Sequence, residues 1–414
     1  MATKRLYYDH SFLREFTANV LSCEPVAALA AAPGTVSVDA AATPAWRVRL
    51  DRTAFYPASG GQPYDTGRLG DAMVVEVIDE ADDVVHIVDR PVAPGAVNGT
   101  VDWPRRFDHM QQHSGQHLLS AVFQQNYSLP TVSFHLGAEL CSIDLRGREP
   151  EQEILDGAAA AANELVYQDR AVSVQYGTVE ELATAGVRKT VDRQGVLRAI
   201  AIAALELQPC GGTHVQSTGQ IGTILLRGVS KIRQDWRLEF VCGRRAERLA
   251  RRDFATLKAV AQKLNCAVAE TAAAAERVVA EREAHFKSAK ASLEKLAEWE
   301  ARSAVQTAQV GADGIRVVAR AFQGAAMEYA QSFAREVSKS ASTVALVVRG
   351  ECGSCFFAQH PAAGQDMNAL LAETLQVVGG KGGGARDSAR GKLADPGRSE
   401  EALEYARRRC GVVG

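Results

Sequence analysis

Two imidazoles four residues apart stand in His113-Ser-Gly-Gln-His117, and a thiol and a third imidazole, again four apart, stand in Cys210-Gly-Gly-Thr-His214. On a helix, side chains at i and i+4 share a face about 5–6 Å apart at Cβ, which suits two ligands on one ion. His109 lies on the same stripe one turn earlier. Residues 109 and 117 of a helix are about 12 Å apart along its axis, so all three cannot hold one metal. Spacing alone leaves the 109/113 and 113/117 pairs both open. In the second segment two glycines make a loop that can fold both ligands around a cation, and Pro209 stiffens its entry. A thiolate with three imidazoles suits zinc better than magnesium or calcium, which prefer oxygen.

The elements around these segments can be read from periodicity. Asp108 to Gln124 carries apolar Leu118, Leu119 and Val122 on one face and the histidines on another, as a helix requires. Ahead of it, Trp46–Leu50, Met73–Ile78 and Val84–Val88 read as short strands bounded by Gly, Pro and Asp, the pattern of a small β-barrel. Within that region Phe55-Tyr-Pro-Ala-Ser-Gly60-Gly61-Gln62 is a turn whose two glycines let a backbone come close to something else. Behind the histidine helix, strands are expected at Thr131–Leu136, Leu140–Leu145, Ala171–Tyr176, Ile221–Arg227 and Arg237–Cys242, with an alanine-rich helix near Glu151–Tyr167. From Gly243 to Gln309 there is no proline, and Ala, Glu, Lys and Arg dominate. Leu257, Ala261, Leu264 and Val268, then Phe286, Leu293 and Leu296, recur at helical spacing, as in a coiled-coil-like arm or a helical hairpin broken at Asn265. Strands at Ile315–Arg320, Thr343–Arg349 and Cys355–Gln359 alternate with helices at Met327–Ser338 and Asp366–Val378, a small α/β pattern. The fold class is therefore α+β, in four parts: a β-barrel domain over 1–104, a zinc-binding domain over 105–243, a helical arm over 244–310 and a C-terminal α/β domain over 311–414.

Composition narrows the function classes. The 414 residues are 46% hydrophobic and 23% charged, which excludes disordered and collagen-like chains. No apolar run approaches the ~18 residues of a membrane helix, and the first ten residues hold no apolar leader core. Eight scattered cysteines do not make a disulfide framework, so a reducing cytoplasm is expected. A net charge of −2 excludes a uniformly basic binder, yet Arg227–Arg252 holds nine basic residues, Arg244 and Arg245 among them, against three acidic ones. Such a patch either contacts phosphate or is a solvated face. Gly379-Gly-Lys-Gly-Gly-Gly384 fails as a phosphate loop, because Gly382 follows Lys381 where Ser or Thr is needed. Glycines there either let N–H groups beside Lys381, Gly382 and Gly383 meet RNA phosphate or form a connector. Cys352-Gly-Ser-Cys355 reads as incidental, since no second CxxC accompanies it, and no GxSxG elbow supports a serine hydrolase.

HxxxH followed by CxxxH resembles the editing-domain signature of alanyl-tRNA synthetases and the freestanding alanyl-tRNA editing proteins, a pattern that threonyl-tRNA synthetase editing domains share. The 55–62 segment, Arg237–Gly243 and the 379–384 glycines resemble the alanyl branch, and the likeness spans essentially the whole chain, nearest to the long freestanding form. The resemblance implies an aminoacyl-tRNA deacylase with Zn2+ on His113, His117, Cys210 and His214, acting on tRNA and free to form a homodimer through its C-terminal region. Its expected substrates are Ser-tRNA(Ala) and, second, Gly-tRNA(Ala). A pocket made for alanine cannot exclude smaller glycine and rejects one added hydroxyl poorly. Gln116, His135 and Thr213 are the polar candidates to line a serine-reading pocket, beside Gly60 and Gly61. Two alternatives stand beside this reading: editing of another mischarged tRNA such as threonine's, and a non-catalytic tRNA-binding protein with structural zinc.

Overall fold

The computed structural model describes residues 2–26, 44–187, 195–311 and 313–412. The chain forms two compact units, Met1–Leu257 and Lys258–Gly414.

In the first unit, six antiparallel strands close a barrel in the order Glu15–Val26, Ala45–Leu50, Asp83–Val88, Ala72–Glu80, Gly67–Leu69 and Gly95–Val101. Alternation makes its inside: Phe16, Ala18, Val20, Val48, Leu50, Val74, Val77, Val84 and Val88 form one core cluster. Helix α1 (Trp103–Tyr127) follows directly. The Asp102 carboxylate accepts the Arg105 N–H and Pro104 occupies the first turn, so the helix starts before the point that the periodicity indicated. It ends at Ser128 in the left-handed region (φ 57°). Its Met110, Leu118, Leu119, Val122 and Phe123 join a core with a four-stranded sheet, in the order Ile224–Ile232, Asp235–Cys242, Cys141–Arg146 and Thr131–Leu136, and with helix α2 (Gln152–Tyr167). The strand expected from Ile221 begins later. Thr218–Ile221 is a 3-10 turn, and Gly222 at φ 70° redirects the chain before pairing starts. A second sheet, Val172–Gly177, Leu197–Ile202 and Glu206–Pro209, ends at the entry to the Cys210 loop. Short helix α3 (Val179–Thr184) closes it, with a capping box between Thr178 and Glu181.

Barrel and helix are pinned together by one buried cation. Arg106 is fully buried, pairs with Asp65, and donates to the Ser11 carbonyl at 2.9 Å and the Ala54 carbonyl at 2.5 Å. Asp65 also accepts the Tyr56 N–H at 2.6 Å, so the 55–62 turn is set relative to α1.

Helix α4 (Gly243–Lys263) carries the chain toward the second unit, and Asn265 at φ 52° ends it where the sequence suggested. In that unit, helix α5 (Thr271–Gln306) is continuous for 36 residues. Its last third packs Ala297, Ala301 and Ala304 against Tyr329 and Phe333 of helix α6 (Met327–Val337). Along its stripe Phe286 is 73% exposed, whereas Leu293 packs against the same cluster as Ala297 and Ala301. A mixed six-stranded sheet follows in the order Gln309–Val310, Arg316–Phe322, Thr343–Arg349, Ser354–Gln359, Ser388–Leu393 and Gly380–Ala385. Helices α5 and α6 cover one face, while α7 (Met367–Val378) and α8 (Ser399–Arg409) cover the other. The glycine run is no connector: Gly380–Ala385 is an edge strand paired with Ser388–Leu393. A side chain at Gly382 would meet the Gly391 Cα at 2.6 Å and Leu375 of α7 at 2.9 Å, so the bare strand lets the helix settle on the hairpin.

Candidate metal centre

Four side chains converge beside one cavity of the first unit. The ligand atoms of His113, His117, Cys210 and His214 all lie within 4.8 Å of one another, and the group could hold a metal ion. The Cys210 Sγ is 3.5 Å from the His113 Nε2 and 3.3 Å from the His214 Nε2. Geometry therefore selects the 113/117 pair. His109 is buried elsewhere on α1, its Nδ1 without a partner. Burial, with Arg105 and Arg245 nearby, pushes it down to about 3, leaving a neutral imidazole.

The second nitrogen of each histidine has its own neighbour. The His113 Nδ1 is 2.9 Å from the Gln62 Oε1, and the His214 Nδ1 is 3.1 Å from the Ser114 Oγ. The His117 Nδ1 lies 3.3 Å from the Glu206 carboxylate. Such outer contacts orient imidazoles so that the opposite nitrogen faces the ion. Gln62 and Ser114 also shape the loop. Gln62 takes the Thr213 N–H on its Oε1 at 3.1 Å and donates to the Thr213 Oγ1 at 2.8 Å. The Ser114 Oγ accepts the Val215 N–H at 3.2 Å. At the loop's start Arg198 holds Cys210 through both backbone groups, accepting its N–H at 3.1 Å and donating to its carbonyl at 2.5 Å. Gly212 passes so close to the His113 ring that any side chain there would strike it.

Electrostatics favour a cation. Burial alone raises a thiol, but His113 and His214 hold Cys210 well below the usual thiol range, toward the thiolate that binds metals. Burial opposes a charge on His117, while Glu206 outweighs it and lifts that imidazole to about 10. Burial pushes His214 down to about 3 against the pull of Cys210.

The cavity encloses about 330 Å³ and is walled by Tyr56, Gly60, Gln116, Phe134 and Gln208 around His113, His117 and Cys210. That volume lies at the small end of ligand cavities. Of the residues singled out for substrate, Gly60 and Gln116 line it. Gly61 instead accepts the Leu136 N–H at 3.4 Å, bracing the turn on the sheet. Two expectations are corrected. His135 is exposed and outside the lining, because alternation along Thr131–Leu136 turns Phe134 inward, where it stacks on His113 at 5.4 Å. Thr213 is fully buried and its hydroxyl is engaged by Gln62, so it braces the loop.

The basic patch also divides. Arg245 is not a surface cation: it is 4% exposed and bound to Asp108 at 2.6 Å and the Gly137 carbonyl at 2.6 Å. Arg237 pairs with Asp144 and Arg227 with Asp253. Lys231, Arg233, Arg244, Arg248 and Arg252 are exposed. In the second unit Lys381, Gly382 and Gly383 are exposed, whereas the tail arginines Arg398, Arg408 and Arg409 pair with Glu401, Glu404 and Glu373. Cys355 is buried in the sheet core, and Cys352 lies 3.1 Å from the Ser354 hydroxyl.

Sequence reasoning missed Gln62, Ser114 and Glu206 as members of the centre. One signal was present for Glu206: with Gln208 it alternates toward Cys210 along a strand that ends in the loop.

Comparison with known proteins supplies the context. Residues 197–238, which include Cys210 and His214, match the family model described as threonyl and alanyl tRNA synthetase second additional domain. The alanyl-tRNA editing protein AlaX-L of Pyrococcus horikoshii is 29% identical, over 97% of this chain and 97% of its own. The alanyl-tRNA editing protein Aarsd1 of Mus musculus is 29% identical, over 95% of this chain and 94% of its own. The alanine–tRNA ligase of Pyrococcus abyssi is 30% identical over 97% of this chain, which spans 43% of that ligase.

Proposed function

We propose, from a likeness to alanyl-tRNA editing proteins that runs nearly the full length of the chain, that this protein hydrolyses the ester of mischarged alanine tRNA, Ser-tRNA(Ala) first and Gly-tRNA(Ala) second. The observation that carries the reading is the convergence of His113, His117, Cys210 and His214 beside a cavity of amino-acid size. Zinc is the ion that this donor set fits: one sulfur, three nitrogens, and a thiol already drawn toward its anion. When bound, zinc supplies a Lewis acid next to the scissile carbonyl or an activated water.

The chain's own residues do the rest. The ester enters between Gly60 and the Gln208–Gly212 strand end, with Phe134 and Tyr56 excluding bulk water. Gln116 Nε2 donates to the Ser120 Oγ at 2.9 Å, which leaves its carbonyl oxygen to accept a hydroxyl or ammonium hydrogen of the bound amino acid. A site that pairs with the serine hydroxyl discriminates against alanine, which leaves that acceptor unmet. Arg244 with its exposed basic neighbours, and Lys381, Gly382 and Gly383 in the second unit, are the proposed tRNA contacts. A homodimer through the C-terminal unit and a cytoplasmic location belong to the same reading. Among the described residues no helix is long and apolar enough to cross a membrane.

The test is a panel of mischarged tRNAs: Ser-tRNA(Ala), Gly-tRNA(Ala), Ala-tRNA(Ala) and Ser-tRNA(Thr). The reading expects fastest release from Ser-tRNA(Ala) and negligible release from Ala-tRNA(Ala). Preference for Ser-tRNA(Thr) would move the function to threonine editing. Activity on none of them would leave a tRNA binder with a structural metal.

A further inference from the structure

Gln62 belongs to the barrel's turn, 51 residues ahead of His113, yet its side chain is 1% exposed and reaches into the centre. Its amide orientation follows from a donor that cannot change. The Thr213 backbone N–H points at the Gln62 side chain from 3.1 Å, so the atom facing it must be the carbonyl oxygen. The amide nitrogen then faces the Thr213 hydroxyl, 2.8 Å away. That same Oε1 lies 2.9 Å from the His113 Nδ1. Two acceptors cannot share that distance, so Nδ1 carries the hydrogen. With Nδ1 so occupied, Nε2 is the nitrogen left to meet a cation. Nε2 is the nitrogen that approaches the Cys210 sulfur.

We propose that Gln62 is a positioning residue that holds the ring hydrogen of His113 on Nδ1, so that Nε2 is the nitrogen offered to a divalent cation. Free neutral histidine favours the opposite tautomer, so without the amide His113 would have to shift its proton before ligating. The lock is stiff because its frame is. The Gln62 N–H donates to the Ser59 carbonyl at 2.9 Å, and the Ser59 N–H returns a bond to the Gln62 carbonyl at 3.1 Å. The Tyr56 hydroxyl donates to the same Ser59 carbonyl at 3.0 Å, and buried Arg106 and Asp65 fix the segment to α1. The barrel's turn thereby reaches His113 through the Gln62 side chain. This inference rests on the metal reading above.

Metal-free, full-length protein labelled with 15N at histidine is examined by NMR over a range of pH, with His113→Gln assigning the resonance. The wild type should show His113 as Nδ1–H. Gln62→Met, similar in shape but without an acceptor, should move it to Nε2–H or a mixture. Gln62→Glu should keep Nδ1–H, because a carboxylate oxygen accepts from both donors. Zinc affinity, measured with zinc alone by competition against a chromophoric chelator, should fall about 10–100-fold in Gln62→Met and much less in Gln62→Glu. Circular dichroism shows whether each variant is folded. If Gln62→Met does not fold, the wild-type and Gln62→Glu spectra still decide. Wild-type His113 in the Nε2–H form, or a folded Gln62→Met variant that binds zinc as tightly as wild type, overturns the proposal. If the wild type binds no zinc, the metal reading falls, while the tautomer, measured without metal, still decides what Gln62 does.

Discussion

The centre of the first unit and the glycine hairpin of the second both depend on glycines that bring a backbone close to a helix. At the centre, Gly212 yields room to the His113 ring of α1, and everything gained is in side-chain atoms: a sulfur, three imidazoles and the groups that orient them. In the hairpin, Gly382 and Gly391 yield room to Leu375 of α7, and what is gained is packing on a strand with almost no side chains. Close approach is thus what a glycine-rich run signals in either place. Chemistry follows only where buried polar side chains converge on the space that the glycines open.

The sharpest way to break that contrast is to remove a ligand. Cys210→Ala should lower deacylation by about a thousandfold or more, with the thermal midpoint moved by only a few degrees, because a small, partly exposed side chain is lost. A kinetic assay with a parallel melt checks this; near-normal turnover would return the centre to the status of the hairpin.

Acid separates the regions next. His86 is fully buried in the barrel, 2.8 Å from the Thr53 hydroxyl, and burial pushes it down to about 4. Its unfolded form binds a proton first, so its contribution is intact above about pH 6.5 and is lost as pH falls toward 4. The loss is about 3 kcal/mol over that range. The urea midpoint of the first unit should therefore fall from pH 7 to pH 5, and His86→Gln should lessen that fall, with buried His109 supplying a further part in the same direction. In the second unit His285 and His360 are not buried.

Gly384→Val adds a side chain where the Ala389 Cα is only 2.5 Å away. It should cost the second unit about 2 kcal/mol or more by overpacking and leave the zinc affinity of the first unchanged, measured by denaturation and chelator competition. The smallest effect is expected at the surface: Arg244→Ala should raise KM for tRNA about threefold with kcat unchanged, and more salt should erase the difference.

Much of this was legible in the sequence because period and spacing survive without a structure. The alternation of Trp46–Leu50 and the β-branched run Val84–Val88 marked barrel strands, and the i, i+4 histidines with CxxxH marked the four side chains that converge. Elements without a pattern escaped. Gly380–Ala385 has almost no side chains to alternate, so a strand looked like a connector. The choice between His109 and His117 needed the direction in which α1 faces the loop. Gln62, Ser114 and Glu206 meet histidines 51, 100 and 89 residues away, and no local spacing encodes such pairs. Arg245 shows the converse: a basic residue in a basic run reads as surface until Asp108 is seen to bury it.

The central claim, that these four side chains hold the zinc on which ester hydrolysis depends, is tested most directly by stripping the purified protein with a chelator and titrating zinc back during Ser-tRNA(Ala) deacylation. The account predicts that activity vanishes on stripping and returns in proportion to added zinc, reaching its plateau at one equivalent per chain, with Cys210→Ala unable to recover. Full turnover by the stripped protein would contradict it.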